Sequence, residues 1–118
     1  MKSIRKPTSD EIRIIRYLAE KAKYKMEASW ESNLMVKPLT NMKIGPVYLL
    51  YQSECIEPKR ELLVSQCVFC DTDNTPVVLY LLVDEKGIPC ELDMWKCDDT
   101  PINTIPSCDK FDDILHLE

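Results

Sequence analysis

The spacing of hydrophobic residues changes along the chain, from intervals of three and four near the start to alternation and short apolar runs later. Intervals of three and four place side chains on one face of a helix. The residues of this first stripe are Ile12, Ile15, Leu18, Ala19 and Ala22. Thr8 and Glu11 precede them as a capping box, in which each side chain bonds the other residue's backbone amide. The pattern predicts one amphipathic helix that opens at Thr8 and runs to about Lys25.

Five later segments are apolar and rich in β-branched or aromatic residues, which is typical of strands. They are Leu34 to Leu39, Val47 to Gln52, Leu62 to Asp71, Val77 to Asp84 and Cys90 to Lys96. Two of the connections contain Asn74 and Gly87, residues that tolerate the positive φ of tight turns. The pattern predicts an α+β fold, in which the helix packs on a roughly five-stranded antiparallel meander and residues 1–118 form a single domain.

Two of these segments, 47–52 and 77–83, are almost continuously apolar, as in central strands that are covered on both faces. We expect the helix to cover one face, and either the C-terminal tail or a second copy of the chain to cover the other. In the tail, Phe111, Ile114 and Leu115 have helical spacing and predict a short terminal helix.

The most informative segment for function lies between residues 91 and 99. Strand alternation places Glu91, Asp93 and Trp95 on one face and the two apolar residues between them on the other. Carboxylates that flank an indole at a strand end suit a cation or a basic partner. The candidate binding residues are Glu91, Asp93, Trp95, Lys96, Asp98 and Asp99.

These carboxylates have a catalytic interpretation and a structural one. Glu91 and Asp93 are expected about 7 Å apart on one strand face, a separation that suits two-carboxylate hydrolysis or Mg²⁺ binding. Alternatively, Asp93 and Asp98 accept hydrogen bonds from neighbouring backbone while Lys96 neutralises one of them.

Other catalytic and metal-binding motifs are incomplete. Asp71 and Asp73 resemble the start of a calcium loop, but its sixth position is Pro76 instead of glycine, so we interpret both as turn carboxylates. The only histidine lies two residues from the end, a poor position for a general base. Cys67 and Cys70 lie in a predicted strand and would face opposite sides instead of one zinc ion. We predict no catalytic residue, no metal and no cofactor.

Charge and hydropathy limit the classes of partner and location. Residues 1–60 carry a net charge of +5 and residues 61–118 a net charge of −10. Carboxylates repel phosphates, so the second half disfavours nucleic acid and favours a basic protein or a cation, although an acidic surface also serves solubility.

The N-terminus lacks the apolar stretch of a secretory signal, and the longest apolar run, 77–83, is far shorter than the ~20 residues that span a bilayer. We expect a cytoplasmic protein with reduced cysteines and no membrane segment.

The motif E-L-D-x-W-K-x-D at residues 91–98 ends a longer pattern that resembles a family of small bacterial proteins of unknown function. An acidic hairpin at 71–74 and a D-x-x-G turn at 84–87 come before it, and a proline follows it. The similarity extends back to region 36–45 and the opening helix. The resemblance implies one folded domain and no particular activity. It draws attention to Asp93, Trp95, Lys96 and Asp98.

Three functional hypotheses follow. The leading one is a non-enzymatic interaction protein whose acidic C-terminal face binds a basic protein, by analogy of size and charge with bacterial immunity proteins against nuclease toxins. The second is a small carboxylate- or metal-dependent hydrolase that uses Glu91, Asp93 and Asp98, with a pocket beside Trp95 and a raised carboxyl pKa. The third is a homodimer formed through the apolar face of the sheet.

Overall fold

One helix lies against one face of a five-stranded antiparallel sheet in the computed structural model, which describes residues 3–51 and 62–113. The helices are α1 (Ser9–Lys21) and the single turn α2 (Trp30–Asn33), and a 3-10 turn covers Cys108–Lys110. The strands are β1 (Leu34–Pro38), β2 (Val47–Tyr51), β3 (Leu62–Cys70), β4 (Pro76–Val83) and β5 (Pro89–Lys96). The predicted α+β class is confirmed, and every strand end lies within one residue of its predicted position.

The order of the strands differs from the predicted meander. The sheet has the order β1-β2-β5-β4-β3, so β2 pairs with β5 instead of with β3. The hairpins β3–β4 and β4–β5 have short turns, and in them Asn74 and Gly87 adopt φ of 65° and 81°. Ten residues separate β2 from β3 in the chain, too many for a tight hairpin turn, so no local signal holds those two strands side by side.

The start of α1 is fastened to an edge of the sheet. The predicted capping box is present, because Thr8 Oγ1 accepts from the Glu11 amide at 3.1 Å and Glu11 Oε1 accepts from the Thr8 amide at 2.8 Å. Arg5 donates a hydrogen bond from each of its two terminal guanidinium nitrogens to the Glu11 carboxylate, at 2.8 and 2.9 Å. The backbone of Arg5 also pairs with Val36 of β1. The helix ends at Lys21, one turn earlier than the predicted Lys25.

The core lies between α1 and the sheet face toward which α1 packs, which we call the inner face. It is formed by the buried side of the helix, by alternate residues of the strands, and by apolar residues of the segment after β5. Representative members are Ile14, Ile15, Leu18, Phe69, Leu79, Leu92, Ile102, Ile105 and Phe111. The Phe111 ring meets Tyr17 edge to face at a centroid distance of 5.1 Å and Phe69 at 5.8 Å. Aromatic pairs of this kind add about 1 kcal/mol to the free energy gained by burial.

The C-terminal segment joins the edge of β3 instead of continuing as a helix from Phe111. Asp112 exchanges two backbone hydrogen bonds with Val68, at 2.8 and 2.9 Å, and Asp113 forms an ion pair with Lys21. The predicted terminal helix is therefore wrong over 111–113, because the open backbone groups of an edge strand offer better hydrogen bonds than a frayed helical turn. The remainder of that prediction lies outside the described residues.

The face of the sheet opposite α1, which we call the outer face, is covered less completely. Along β4, inward-facing Val77, Leu79 and Leu81 are buried, whereas outward-facing Val78 and Tyr80 are half-buried. The expectation that β4 is fully covered on both faces is therefore wrong. Among the described residues, no helix is long and apolar enough to cross a membrane.

Thr8→Ala is expected to lower the free energy of unfolding by about 1 kcal/mol, because it leaves the Glu11 amide without its side-chain acceptor. Thr8→Ser keeps that oxygen and should retain most of the stability. Urea denaturation of the three proteins followed by circular dichroism measures the difference, and equal losses in the two variants would contradict this role of the hydroxyl.

Candidate functional site

Strand β5 divides its residues between the two faces of the sheet as the alternation predicts. Leu92 and Met94 belong to the core, whereas Asp93 is half-buried and Trp95 is 47% exposed on the outer face. In the ladder, Trp95 lies beside Val78 of β4. An indole that remains half-exposed within a hydrogen-bonded strand offers a large, rigid surface for contact.

The indole of Trp95 is held by the turn that follows β5. Its Nε1 donates to Asp99 Oδ1 at 2.9 Å. Asp99 has a φ of 62°, and its amide donates to the Lys96 carbonyl at 2.9 Å. The left-handed conformation turns the chain back on the strand, so that the Asp99 carboxylate meets the indole edge.

The two remaining carboxylates near this end of β5 bond to neighbouring backbone. Asp93 Oδ1 accepts from the Met94 amide at 2.9 Å. Asp98 Oδ1 accepts from the Thr100 hydroxyl at 2.6 Å and from the Thr100 amide at 3.0 Å. These Thr100 hydrogen bonds lower the pKa of Asp98, so its carboxylate is ionised at neutral pH. The structural interpretation of Asp93 and Asp98 as acceptors of local backbone bonds agrees with this geometry.

Lys96 points to the inner face and forms a different ion pair from the expected one. The residue is only 3% exposed, and its Nζ donates to Asp71 Oδ2 at 2.9 Å, to Asp73 Oδ2 at 2.8 Å and to the Pro101 carbonyl at 3.1 Å. The expectation that Lys96 neutralises Asp93 or Asp98 is thus corrected. The alternation along β5 could have predicted the burial of Lys96, since Lys96 shares a face with buried Met94. A buried ammonium in turn needs an acidic partner.

Asp71 is the fully buried acceptor of this network. Its carboxylate also accepts from the Thr72 amide at 2.8 Å and from the Asn103 amide at 2.7 Å, and its side chain has no exposed surface. Burial raises the pKa of Asp71, but the Asn103, Lys96 and Thr72 hydrogen bonds outweigh it and bring the pKa to about 2. The Lys96 hydrogen bond likewise lowers the pKa of Asp73. Both residues are turn carboxylates, as predicted, but they also bind a buried cation.

The structure therefore brings together only some of the six candidate binding residues. Trp95 and Asp99 are in contact, Asp93 follows on the same face, and Asp98 lies in the same turn as Asp99. Glu91 also points outward but is 9% exposed, and Lys96 lies on the inner face. We call the set of Asp93, Trp95, Asp98 and Asp99 the Trp95 patch.

The hydrolase hypothesis expects a pocket beside Trp95 and a carboxyl group with a raised pKa. A cleft of the described structure lies at the opposite end of β5 and is lined by Pro89 instead of Trp95. Asp71, Asp73, Asp98 and Asp109 each have a lowered pKa, and Asp98 is the one of these four that lies near Trp95. Among the described residues, no group of three or more histidine, cysteine, aspartate or glutamate side chains is placed to hold a metal ion.

The described cysteines are free thiols, in agreement with the interpretation from sequence. Cys67 is buried in the core and Cys70 is exposed, as expected for residues three apart on a strand. Burial raises the pKa of the Cys67 thiol to about 12, so it packs as a small neutral side chain.

Sequence reasoning missed two groupings. One is the ion pair between Asp71 and Lys96, whose partners are 25 positions apart. The other is the cleft at the start of β5, whose aromatic walls are Tyr24, Trp30 and Tyr51. Tyr24 and Trp30 lie in the segment that follows α1, whereas Tyr51 belongs to β2, so no local pattern could have indicated the cleft.

Comparison with known proteins identifies a family but no function. A family model described as "Domain of unknown function (DUF6984)" matches residues 4–106. No curated protein and no solved structure matches the chain. The expected relationship to a family of unknown function is confirmed, whereas the E-L-D-x-W-K-x-D motif as a family feature and a bacterial origin stay predictions.

Replacement of Asp71 is expected to cost far more stability than replacement of Asp73, although both carboxylates bind Lys96. Asp71→Ala removes a fully buried acceptor from one ammonium and two amides, and should lower the free energy of unfolding by about 3 kcal/mol. Asp73→Ala removes a carboxylate that is 43% exposed and should cost clearly less. Urea denaturation at neutral pH measures both, and equal losses would contradict the assigned burial.

The same carboxylate predicts a loss of stability in acid. The pKa of Asp71 is about 2 in the folded protein, against about 4 in an unfolded chain. Its stabilising effect is complete above about pH 4 and is lost as the pH falls towards about 2, since the unfolded chain binds the proton first. We expect the free energy of unfolding to fall more steeply over this range in the wild type than in Asp71→Asn. Parallel curves from urea denaturation would show that Asp71 is not the titrating group.

Proposed function

The chain belongs to the DUF6984 family, and we propose that it is a cytoplasmic, non-enzymatic protein-interaction module whose Trp95 patch binds a basic protein. The observation that carries the proposal is the half-exposed indole of Trp95, held by Asp99 on the outer face of the sheet. Interfaces concentrate their binding energy in a few residues, and tryptophan is among the types most enriched there.

The electrostatics of the patch support a basic partner. Lys96 is the one cationic residue between positions 87 and 109, and its ammonium binds Asp71 and Asp73 on the inner side. The carboxylates of Asp98 and Asp99 therefore contribute negative charge that this lysine does not pair with directly. The −10 net charge of residues 61–118 extends the negative field beyond the patch and favours rapid encounter with a positively charged protein.

The geometry also supports a particular mode of contact. An arginine or lysine of the partner can lie over the indole face of Trp95 while its charged group approaches the carboxylate of Asp98. Because Asp99 already fixes the indole edge at 2.9 Å, the ring has little side-chain freedom to lose on binding. Such a contact combines apolar burial with charge pairing and should weaken as salt concentration rises.

A second candidate function uses the same face. Leu62 and Leu63 are each 52% exposed at the start of β3, and Leu63 lies beside half-buried Leu82 of β4 on the outer face. Exposed Leu63 and its neighbour Leu82 favour the association of two copies through the outer face, which is the third hypothesis from the sequence. Sedimentation velocity over a range of concentrations distinguishes the two candidates, since a homodimer forms without any partner.

The interaction proposal predicts salt-sensitive capture of a basic partner through the Trp95 patch. Immobilised wild type should retain a basic protein from a lysate of the source organism at low salt and release it at about 0.5 M salt. Asp93→Asn/Asp98→Asn and Trp95→Ala should each bind the purified partner about tenfold more weakly by calorimetry, because each removes part of the combined contact.

The matched control is Glu20→Gln/Glu85→Gln, which removes the same amount of charge from two exposed positions outside the patch. The control should bind the purified partner as the wild type does. If both double variants bound the partner equally weakly, the loss of affinity would be due to overall charge, and this result would contradict the assigned patch. Capture of no basic protein at low salt would also contradict the proposal.

A further inference from the structure

A second candidate site lies at the opposite end of β5 from the Trp95 patch. A cleft of about 550 Å³ opens between the segment that follows α1 and the β4–β5 turn, with Tyr51 of β2 in its wall. Its volume falls in the range of small-molecule sites. The cleft shares no residue with the Trp95 patch, so the two sites can be tested separately.

Aromatic rings form much of the cleft. Tyr24, Trp30 and Tyr51 line it, and all three rings are partly buried against the core. The turn lies close to Tyr24, since a Cβ on Gly87 would make an ordinary contact with the Tyr24 hydroxyl at 3.7 Å, and the φ of 81° at Gly87 favours glycine there. Aromatic walls suit a planar ligand that can stack against a ring or meet it edge to face.

The hydroxyl of Tyr51 is the feature that most directly indicates a ligand. It exposes less than 1 Å² and has no hydrogen-bond partner among the described residues. Buried polar groups of folded proteins are nearly always paired, because an unpaired one loses its bonds to water without replacement. Burial raises the pKa of Tyr51, so the group stays protonated and is available as a donor. A ligand acceptor that displaces the side chains shielding it would complete its hydrogen bonding.

Charge around the cleft favours an anion. Lys25 and Lys86 line it together with one acid, Glu27, which leaves a net charge of +1 among its lining residues. None of the three forms an ion pair with another described residue. The lysines are therefore available to a carboxylate on a bound molecule.

The geometry points to this cleft as a binding site for a planar aromatic carboxylate, which stacks between the Tyr24 and Trp30 rings and accepts a hydrogen bond from Tyr51. The ring system of the ligand supplies apolar contact, and the lysines neutralise its carboxylate. The hydrogen bond from the Tyr51 hydroxyl fixes the orientation of the ligand. This inference goes beyond the proposed protein interaction and does not depend on it.

The test uses naphthalene-2-carboxylate as the anionic probe and 2-naphthylmethylammonium as its cationic counterpart. The full chain has two glycines and two tryptophans, and one of each lines the cleft. In amide and indole nitrogen-proton spectra, the carboxylate should shift the signals of Gly87 and Trp30 and leave those of Gly45 and Trp95 in place. It should bind about tenfold more tightly than the ammonium probe.

Tyr51→Phe tests the hydroxyl, since it removes one oxygen and keeps the ring. It should weaken carboxylate binding about tenfold, while the melting temperature of the free protein stays the same or rises because an unpaired polar group is lost. Tyr80→Phe, the same change on the outer face of β4, should leave carboxylate binding unchanged. A fall in melting temperature with unchanged binding in Tyr51→Phe would assign the hydroxyl a structural partner and overturn its role.

The charge argument has its own variant. Lys25→Gln/Lys86→Gln should remove most of the preference for the carboxylate over the ammonium probe, because the ring contacts remain and the cations do not. Equal affinity of the wild type for both probes would overturn the assignment of an anionic ligand. The site itself would be overturned if about 1 mM carboxylate left the signals of Gly87 and Trp30 unmoved.

Discussion

The buried ammonium of Lys96 constrains how the C-terminal half of the chain can fold. A lysine on the inner face must find negative partners there, since an isolated charge in the core would cost several kcal/mol. The β3–β4 turn supplies Asp71 and Asp73, and the segment after β5 supplies the Pro101 carbonyl. The β3–β4 turn is thereby joined to the end of β5 and to the segment that follows it, at one end of the sheet.

This junction decides where the last described segment runs. The Asn103 amide donates to Asp71, which holds the chain over the inner face just where Ile102 and Ile105 enter the core. Farther on, Phe111 packs on Phe69 and Asp112 pairs with the edge of β3. The segment after β5 and α1 thus cover the inner face together, and the outer face keeps half-exposed side chains.

The two proposed sites lie at opposite ends of strand β5 and differ in charge. It is the central strand of the sheet, with Pro89 beside the aromatic cleft at its start and Trp95 at its end. The cleft has an excess of lysine, whereas the Trp95 patch is acidic and its nearest lysine faces inward. Each proposed site combines aromatic surface with an excess of one sign of charge, and the two proposals therefore call for ligands of opposite charge.

The sequence by itself determined the elements of this protein, because each depends on neighbours within a few positions. The capping box at Thr8, the five strands and the glycine turn at Gly87 are local patterns, and they were predicted to within one residue. The apolar stripe of α1 was predicted in part: Ile15, Leu18 and Ala19 are buried, but Ile14 is buried instead of Ile12, and Ala22 is exposed beyond the end of the helix. Alternation likewise placed Trp95 outward and Leu92 inward. The family match at residues 4–106 adds no function to this result.

The tertiary structure alone decided which elements meet. The pairing of β2 with β5, the ion pair of Lys96 with Asp71 and the cleft around Tyr51 join residues that are distant in the chain. Such contacts depend on the energy of the whole packed core, in which a buried charge must be neutralised and an edge strand must be covered. A local pattern can predict that a residue such as Lys96 needs an acidic partner. Only the assembled fold decides which residue that partner is.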